Sequence, residues 1–226
     1  MLQKLEIFLK RKIRHGFSSY YRKKDSAKLQ NKDFVLISRN CWGGQVYQWL
    51  NLPYNTPFVG LFLFGPCYMK LLRDFDKYMA MDIKFKEVSK YPDAYNSHPI
   101  GVLGDIEIQF QHYSSVKEAK DKWERRKSRM LKLKREDYFF SICDRRGITE
   151  ENIKEFHQMN FRNKISFSFQ KISGLSNLQH IKFIQDLSKH NGAPPNGRKR
   201  FKLTFLYFDL VNYLNTENVV RTRFKD

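Results

Sequence analysis

The chain is poor in cysteine and in acidic residues, and it has no long apolar run. Three cysteines in 226 residues, at 41, 67 and 143, are too few and too scattered for a disulfide framework. None stands in a CxxC or Cys/His spacing that would hold zinc. No metal or cofactor is expected, and the thiols read as reduced, in a cytoplasmic setting. No stretch approaches the roughly 18 apolar residues that a membrane span needs. The best apolar run, residues 58–64, is a buried-strand candidate. The N-terminus lacks the apolar core and small-residue cleavage site of a signal peptide. GxGxxG and the P-loop lysine motif are both missing, which removes dinucleotide-binding and P-loop enzymes. There is no internal repeat and no low-complexity segment.

The shortage of acids leaves a large positive excess. Lys and Arg total 42 against 23 Asp and Glu, for a net charge of +19. Self-repulsion of this size opposes compaction, so it points to an anionic partner: nucleic acid, an anionic membrane surface or an anionic substrate. The aromatics stand in apolar runs and no nucleic-acid module is visible, so nucleic acid is not expected. Residues 1–32 hold ten Lys/Arg against two acids, and residues 117–135 hold ten against three.

Residues 1–14 read as a short basic amphipathic helix. Leu2, Leu5, Leu9 and Ile13 share a face with Phe8 beside them, and the basic residues lie mostly off it. Such a helix can lie in the headgroup region of an anionic leaflet, or pack its apolar face on the domain. Residues 15–32 read as a linker or a basic extension, and 33–226 as one α/β domain. Hydrophobic periodicity and turn residues predict strands at 34–39, 58–64, 83–88, 106–111, 138–143, 164–169 and 202–208. They predict helices at 44–52, 68–81, 116–135, 150–159 and 175–190, with loops at 91–104 and 191–197. Ser115 and Glu118 match a capping box, and Thr149 matches a cap. Strands alternating with helices imply a three-layer α/β fold with a mostly parallel sheet, preceded by the basic N-terminal helix.

Three candidate catalytic residues each follow a predicted strand. Cys41 follows the first, in Asn40-Cys41-Trp42-Gly43-Gly44, where a small, glycine-rich turn opens a helix. A helix N-terminus stabilises a thiolate. His112 follows the 106–111 strand, and Asp144 follows 138–143. Parallel strands bring their C-terminal ends to one edge, so the three can converge as nucleophile, base and orienting carboxylate. The competing readings are packing for Cys41, a carbonyl contact for His112, and pairing with Arg145 or Arg146 for Asp144. Cys67 and Cys143 lie in apolar context, and His98, His157, His180 and His190 show no arrangement that singles them out. On the 116–135 helix, Ala119, Trp123, Arg126 and Met130 share a face. An Arg beside a Trp is unusual for a solvated stripe. Arg126 and Arg129 are therefore candidates to hold an anionic group, because a guanidinium matches phosphate and carboxylate geometry.

Asn40 to Tyr47, Asn55 to Leu61, His112-Tyr113, Ala119 and Lys122-Trp123-Glu124-Arg125-Arg126 together resemble a bacterial domain-of-unknown-function family. Its members are labelled exopolysaccharide, or capsule, biosynthesis proteins. The resemblance covers roughly residues 33–170. It implies a role in surface-polysaccharide loci at the cytoplasmic face of the membrane. The order of Cys, His-Tyr and Arg-Arg is also similar to a family described as papain-like cysteine peptidases, from which Gln111 before His112 departs.

The expectation is a transferase or hydrolase acting on an anionic, phosphate-bearing glycan or lipid-linked precursor. Cys41, His112 and Asp144 would be catalytic. Asn40, Trp42, Gly43, Gly44, Tyr113, Trp123, Arg126 and Arg129 would bind substrate. The alternative is a non-catalytic membrane-surface or glycan-binding module, docked through residues 1–32.

Overall fold

The computed structural model describes residues 2–92, 94, 97–176, 179–183 and 194–222. An apolar run buried on both faces makes a strand of a parallel sheet rather than a half-solvated one. That is the state of β1 (Val35–Ser38) and of the later strand β5 (Tyr138–Cys143), in which every residue is buried. With β6 (Asn163–Ser168) and β7 (His180–Lys182) they form a four-stranded sheet in the order β1-β5-β6-β7. All three pairings are parallel, with Val35 opposite Tyr138 and Ser141 opposite Ile165.

Side-chain alternation divides the interior into two cores. Val35, Ile37, Phe140 and Ile142 face one apolar cluster. It is completed by α4 (Gly65–Arg73), α5 (Phe75–Ala80), α6 (Val116–Met130) and α7 (Glu150–Gln158). Leu36, Phe139, Cys143 and Ile165 face the other. There they meet α3 (Cys41–Leu50), α8 (Gly197–Thr204) and α9 (Leu210–Thr216). Helices on both faces of the parallel sheet make this an α/β fold.

A second sheet was not foreseen. β2 (Lys84–Lys86), β3 (Ile100–Leu103) and β4 (Ile106–Gln109) pair antiparallel in that order. β3 lies in the stretch read as loop. The segment expected as a strand at 58–64 contributes one bridge, Phe62 to Gln109. Its backbone turns at Gly60, whose φ of 72° suits a residue without Cβ. Two helices also differ from expectation. The 68–81 helix breaks at Asp74 (φ −125°) and begins at Gly65, with Pro66 preset for the first turn. The 116–135 helix ends at Met130. The predicted strand at 202–208 is instead the end of helix α8 to Thr204, a turn over 205–207 and one bridge from Phe208 to Arg221. Asn196 accepts from the Lys199 N–H and nucleates the helix, and Arg200, Leu203, Thr204 and Tyr207 are buried at helical spacing. Of the predicted helix 175–190, residues 180–182 form β7, and 177–178 and 184–190 lie outside the described residues.

The N-terminal basic stretch forms α1 (Leu2–Gly16) and α2 (Ser18–Lys28). One knot ties them to the domain. Arg14 pairs with Asp25 at 2.6 Å, Asp25 accepts from Trp49 Nε1 at 2.7 Å, and the Arg14 guanidinium stacks on Tyr21, Trp49 and Phe205. Ile7 is buried against the body. Leu5, Phe8, Leu9 and Ile13 remain 49–55% exposed, so much of the apolar face of α1 is uncovered. Among the described residues, no helix is long and apolar enough to cross a membrane.

Candidate functional site

Cys41 occupies the first turn of α3. Asn40 caps that helix: its side chain accepts from the Trp42 N–H at 3.0 Å, and its amide donates to Cys143 Sγ at 3.3 Å. One asparagine thereby fixes the start of α3 against the end of β5. Gly43 lies against Ser38 and Leu36, and Gly44 against Val59, so both allow α3 to approach closely. Gly197, first residue of α8, is the tightest fit. A Cβ there would come within 2.4 Å of Trp42 N, 2.5 Å of Asn40 Oδ1 and 2.8 Å of Cys41 N.

His112 arrives by a different route from the one expected. It follows β4 of the antiparallel sheet, not a strand of the parallel one. Phe62 and Gln109 exchange two backbone hydrogen bonds of 2.9 Å, and His112 N donates to Gly60 O at 2.9 Å. This short antiparallel zip carries the imidazole over α3. His112 Nε2 lies 3.4 Å from Cys41 Sγ. The thiol is partly accessible and the imidazole exposed, whereas Cys67 and Cys143 are buried.

Burial pushes the Cys41 thiol above its ordinary value, and its own backbone N–H draws it only part of the way back. The helix N-terminus does not win here, so the resting group is a neutral thiol. A neutral thiol needs a neighbouring base to become a nucleophile, and His112 is within reach.

Asp144 is not joined to this pair. Its carboxylate accepts from the Phe169 N–H at 2.7 Å, and burial raises its pKa against the opposing pull of Arg200 and that amide. Among the described residues, no hydrogen bond links it to His112. The reason is topological: Asp144 leaves β5 toward β6, while His112 comes from the other sheet.

The remaining expected residues support the pair from behind. Trp42 is buried against Phe167, with Nε1 donating to Thr204 at 3.0 Å. Tyr113 donates to Val59 O at 2.6 Å and accepts from Arg126 Nη1 at 2.6 Å. Burial pushes the Tyr113 hydroxyl up, which keeps it a neutral donor. The Arg126 guanidinium lies 4.7 Å from the centre of the Tyr54 ring, and Arg129 donates to Tyr54 O at 2.9 Å. Trp123 packs edge-on against Phe58. Together they strap down residues 54–60, on which the His112 backbone hangs.

Sequence reasoning missed Arg39, which is 2% exposed. Its guanidinium donates to Leu63 O at 2.8 Å, to Cys143 O at 3.1 Å and to Arg145 O. Burial lowers its pKa. It gathers the chain ends around the Cys41 turn. The available signal was a lone cation directly after a fully buried strand of Val35, Leu36, Ile37 and Ser38. Gly197 was missed too, because nothing in the sequence joins it to a turn more than 150 residues away.

All of these residues fall within the span matched by a family model. A family model described as Domain of unknown function (DUF1919) matches residues 12–215. A Haemophilus influenzae protein named "Uncharacterized protein" is 34% identical over 194 residues, covering 83% of this chain and 87% of that one.

Proposed function

The chain belongs to the DUF1919 family, and from that premise we propose that it is a thiol-dependent transferase or hydrolase of surface-polysaccharide assembly. Its substrate in this reading is an anionic glycan or a lipid-linked precursor, met at the cytoplasmic face of the membrane. The observation that carries the reading is the 3.4 Å approach of His112 Nε2 to a partly accessible Cys41 Sγ. His112 takes the thiol proton as sulfur attacks an acyl carbon. The carbon–oxygen bond to the leaving group breaks, and that group departs with the proton. Water or an acceptor hydroxyl then attacks the thioester and restores the thiol. Arg126, Arg129 and Tyr113 act as positioning residues that hold the 54–60 segment, and the net charge of +19 favours an anionic substrate.

Iodoacetamide labelling at pH 7, read by mass spectrometry, tests the pair. Cys41 is expected to label ahead of buried Cys67 and Cys143, and His112→Ala to slow it roughly 100-fold, the low end of a general-base contribution. An unchanged rate in His112→Ala overturns the nucleophile reading.

A second reading, a membrane-surface module, is favoured by the uncovered apolar residues of α1. Leu5, Phe8, Leu9 and Ile13 lie among Lys10, Arg11 and Lys12, the composition of a helix that sinks into an anionic leaflet. Co-sedimentation with phosphatidylglycerol vesicles should fall when Leu5, Phe8 and Leu9 are changed to Ser. Equal sedimentation of that variant and the parent chain overturns it.

A further inference from the structure

A cavity lies away from Cys41, between α1 and the faces of α3, α8 and α9. It encloses about 560 Å³, the size of a small-molecule site. Its walls are aromatic and aliphatic: Phe8, Trp49, Phe201, Phe205, Phe208 and Leu210. Its rim carries Arg11, Lys12, His15 and Lys202. We propose that this cavity binds an anionic amphiphile, with a single apolar chain along the aromatic wall and a phosphate head at the basic rim.

Three observations carry the assignment. First, the lining is net positive: Arg11, Lys12, Arg14 and Lys202 stand against two carboxylates, Asp25, which pairs with Arg14, and Asp209, which caps α9 through the Asn212 N–H. Among the described residues, no carboxylate pairs with Arg11, Lys12 or Lys202. Arg11 also bears on Lys199, whose pKa is lowered by burial and then by that neighbouring cation. An anion at the rim relieves this repulsion.

Second, the polar side chains of the wall are largely committed to the protein. Thr204 Oγ1 donates to Arg200 O and accepts from Trp42, Thr222 Oγ1 donates to Phe205 O, and the Gln45 amide donates to Gln48. A wall with so few open hydrogen-bonding groups suits an alkyl chain better than a nucleobase, whose edges demand partners. Third, Phe8 both lines the cavity and stands 53% exposed on α1. The apolar lining therefore runs out to the uncovered face of α1, giving a chain a path of entry from a membrane.

This deepens the reading of a lipid-linked substrate and rests on it for its biological role, but it does not depend on Cys41 chemistry. Trp49 is a built-in reporter, since Trp42 and Trp123 are buried elsewhere. The full chain is titrated with dodecyl phosphate below its micelle concentration, with tryptophan emission and calorimetry as readouts. Binding is expected to saturate at one equivalent. Trp49→Phe should remove the emission change, which assigns the signal to this cavity. Arg11→Glu with Lys202→Glu, checked for folding by circular dichroism, should weaken dodecyl phosphate at least tenfold and leave neutral dodecyl maltoside unchanged. Cys41→Ala should bind as the parent chain does, whatever the outcome at the thiol. Equal affinity for inorganic phosphate removes the apolar chain from the proposal, and equal affinity for dodecyl maltoside removes the charge. Tighter binding of uridine monophosphate, or no saturation, overturns the assignment.

Discussion

Two histidine arrangements in this molecule make opposite use of the same ring. His112 is exposed and meets a thiol across 3.4 Å. His180 is buried on β7, with Nδ1 2.7 Å from Ser166 Oγ, and Nε2 3.0 Å from Ser168 Oγ and 3.3 Å from Gln170 O. His157 Nε2 closes on the same Ser166 hydroxyl at 2.8 Å. The distances fit a relay in either direction, for example His157 donating to Ser166, Ser166 to His180 and His180 to the Gln170 carbonyl. This network, buried at His180 and half-buried at His157, ties α7 to strands β6 and β7. The Cys41–His112 contact stabilises little, because it lies at the surface. The difference teaches that a histidine beside a hydroxyl is not by itself a catalytic sign. What distinguishes His112 is a partly accessible sulfur and solvent access for a substrate.

The comparison breaks most visibly at the buried network. Ser166→Ala would leave an imidazole nitrogen on each of two histidines without its Ser166 partner, at about 1–3 kcal/mol for buried His180 and less for half-buried His157. Urea denaturation should show a loss of about 2–4 kcal/mol, with Cys41 labelling of the folded protein unchanged. Gly197→Ala comes next. Its Cβ would collide with backbone and with the Asn40 cap, an overpacking cost of about 1–3 kcal/mol. It should also alter Cys41 labelling, because α8 must move away from the α3 N-terminus.

The pH dependence of folding separates the two histidine sites further. Burial first, then His180 and Lys164, lower the His157 pKa from its ordinary 6.5 to about 4. Between those values the unfolded chain takes up a proton that the folded chain refuses. This contribution to stability is therefore complete above pH 6.5, declines as pH falls, and is spent by about 4. Denaturation midpoints measured across that window should fall with pH, and His157→Gln should flatten the slope. The smallest structural effect belongs to His112→Asn. Stability should stay within about 0.5 kcal/mol of the parent chain, as for most surface changes. A large loss of stability would assign His112 to packing and dissolve the contrast.

Much of this was legible in the chain, and the failures have identifiable causes. The run at 35–38 and the turn after it placed Cys41 at the head of a helix, because apolar β-branched residues followed by Asn and Gly leave few alternatives. Ser115 and Thr149 cap α6 and α7, since a cap depends on its own residue and its near neighbours, but Glu118 accepts from the Ser114 N–H and does not close the box expected with Ser115. The segment at 202–208 reads as a strand because its apolar residues Leu203, Phe205 and Tyr207 alternate, yet the Asn196 cap and the burial of Arg200 and Thr204 carry a helix to Thr204 and a turn follows it. The histidine network was illegible, since its members stand 9 and 14 residues apart on elements that only the sheet brings together.

By itself the sequence determined the α/β class, the place of the thiol on its helix, the positive charge, and the amphipathic character of α1. Each follows from spacing within a few residues or from composition. Only the tertiary structure decided which histidine reaches Cys41, that Asp144 stays with Phe169, and that Arg126 straps a loop. It alone set the cavity beneath α1. Each of these depends on contacts between segments far apart in the chain, where strand order and the Phe62–Gln109 zip set the distances and no local rule does.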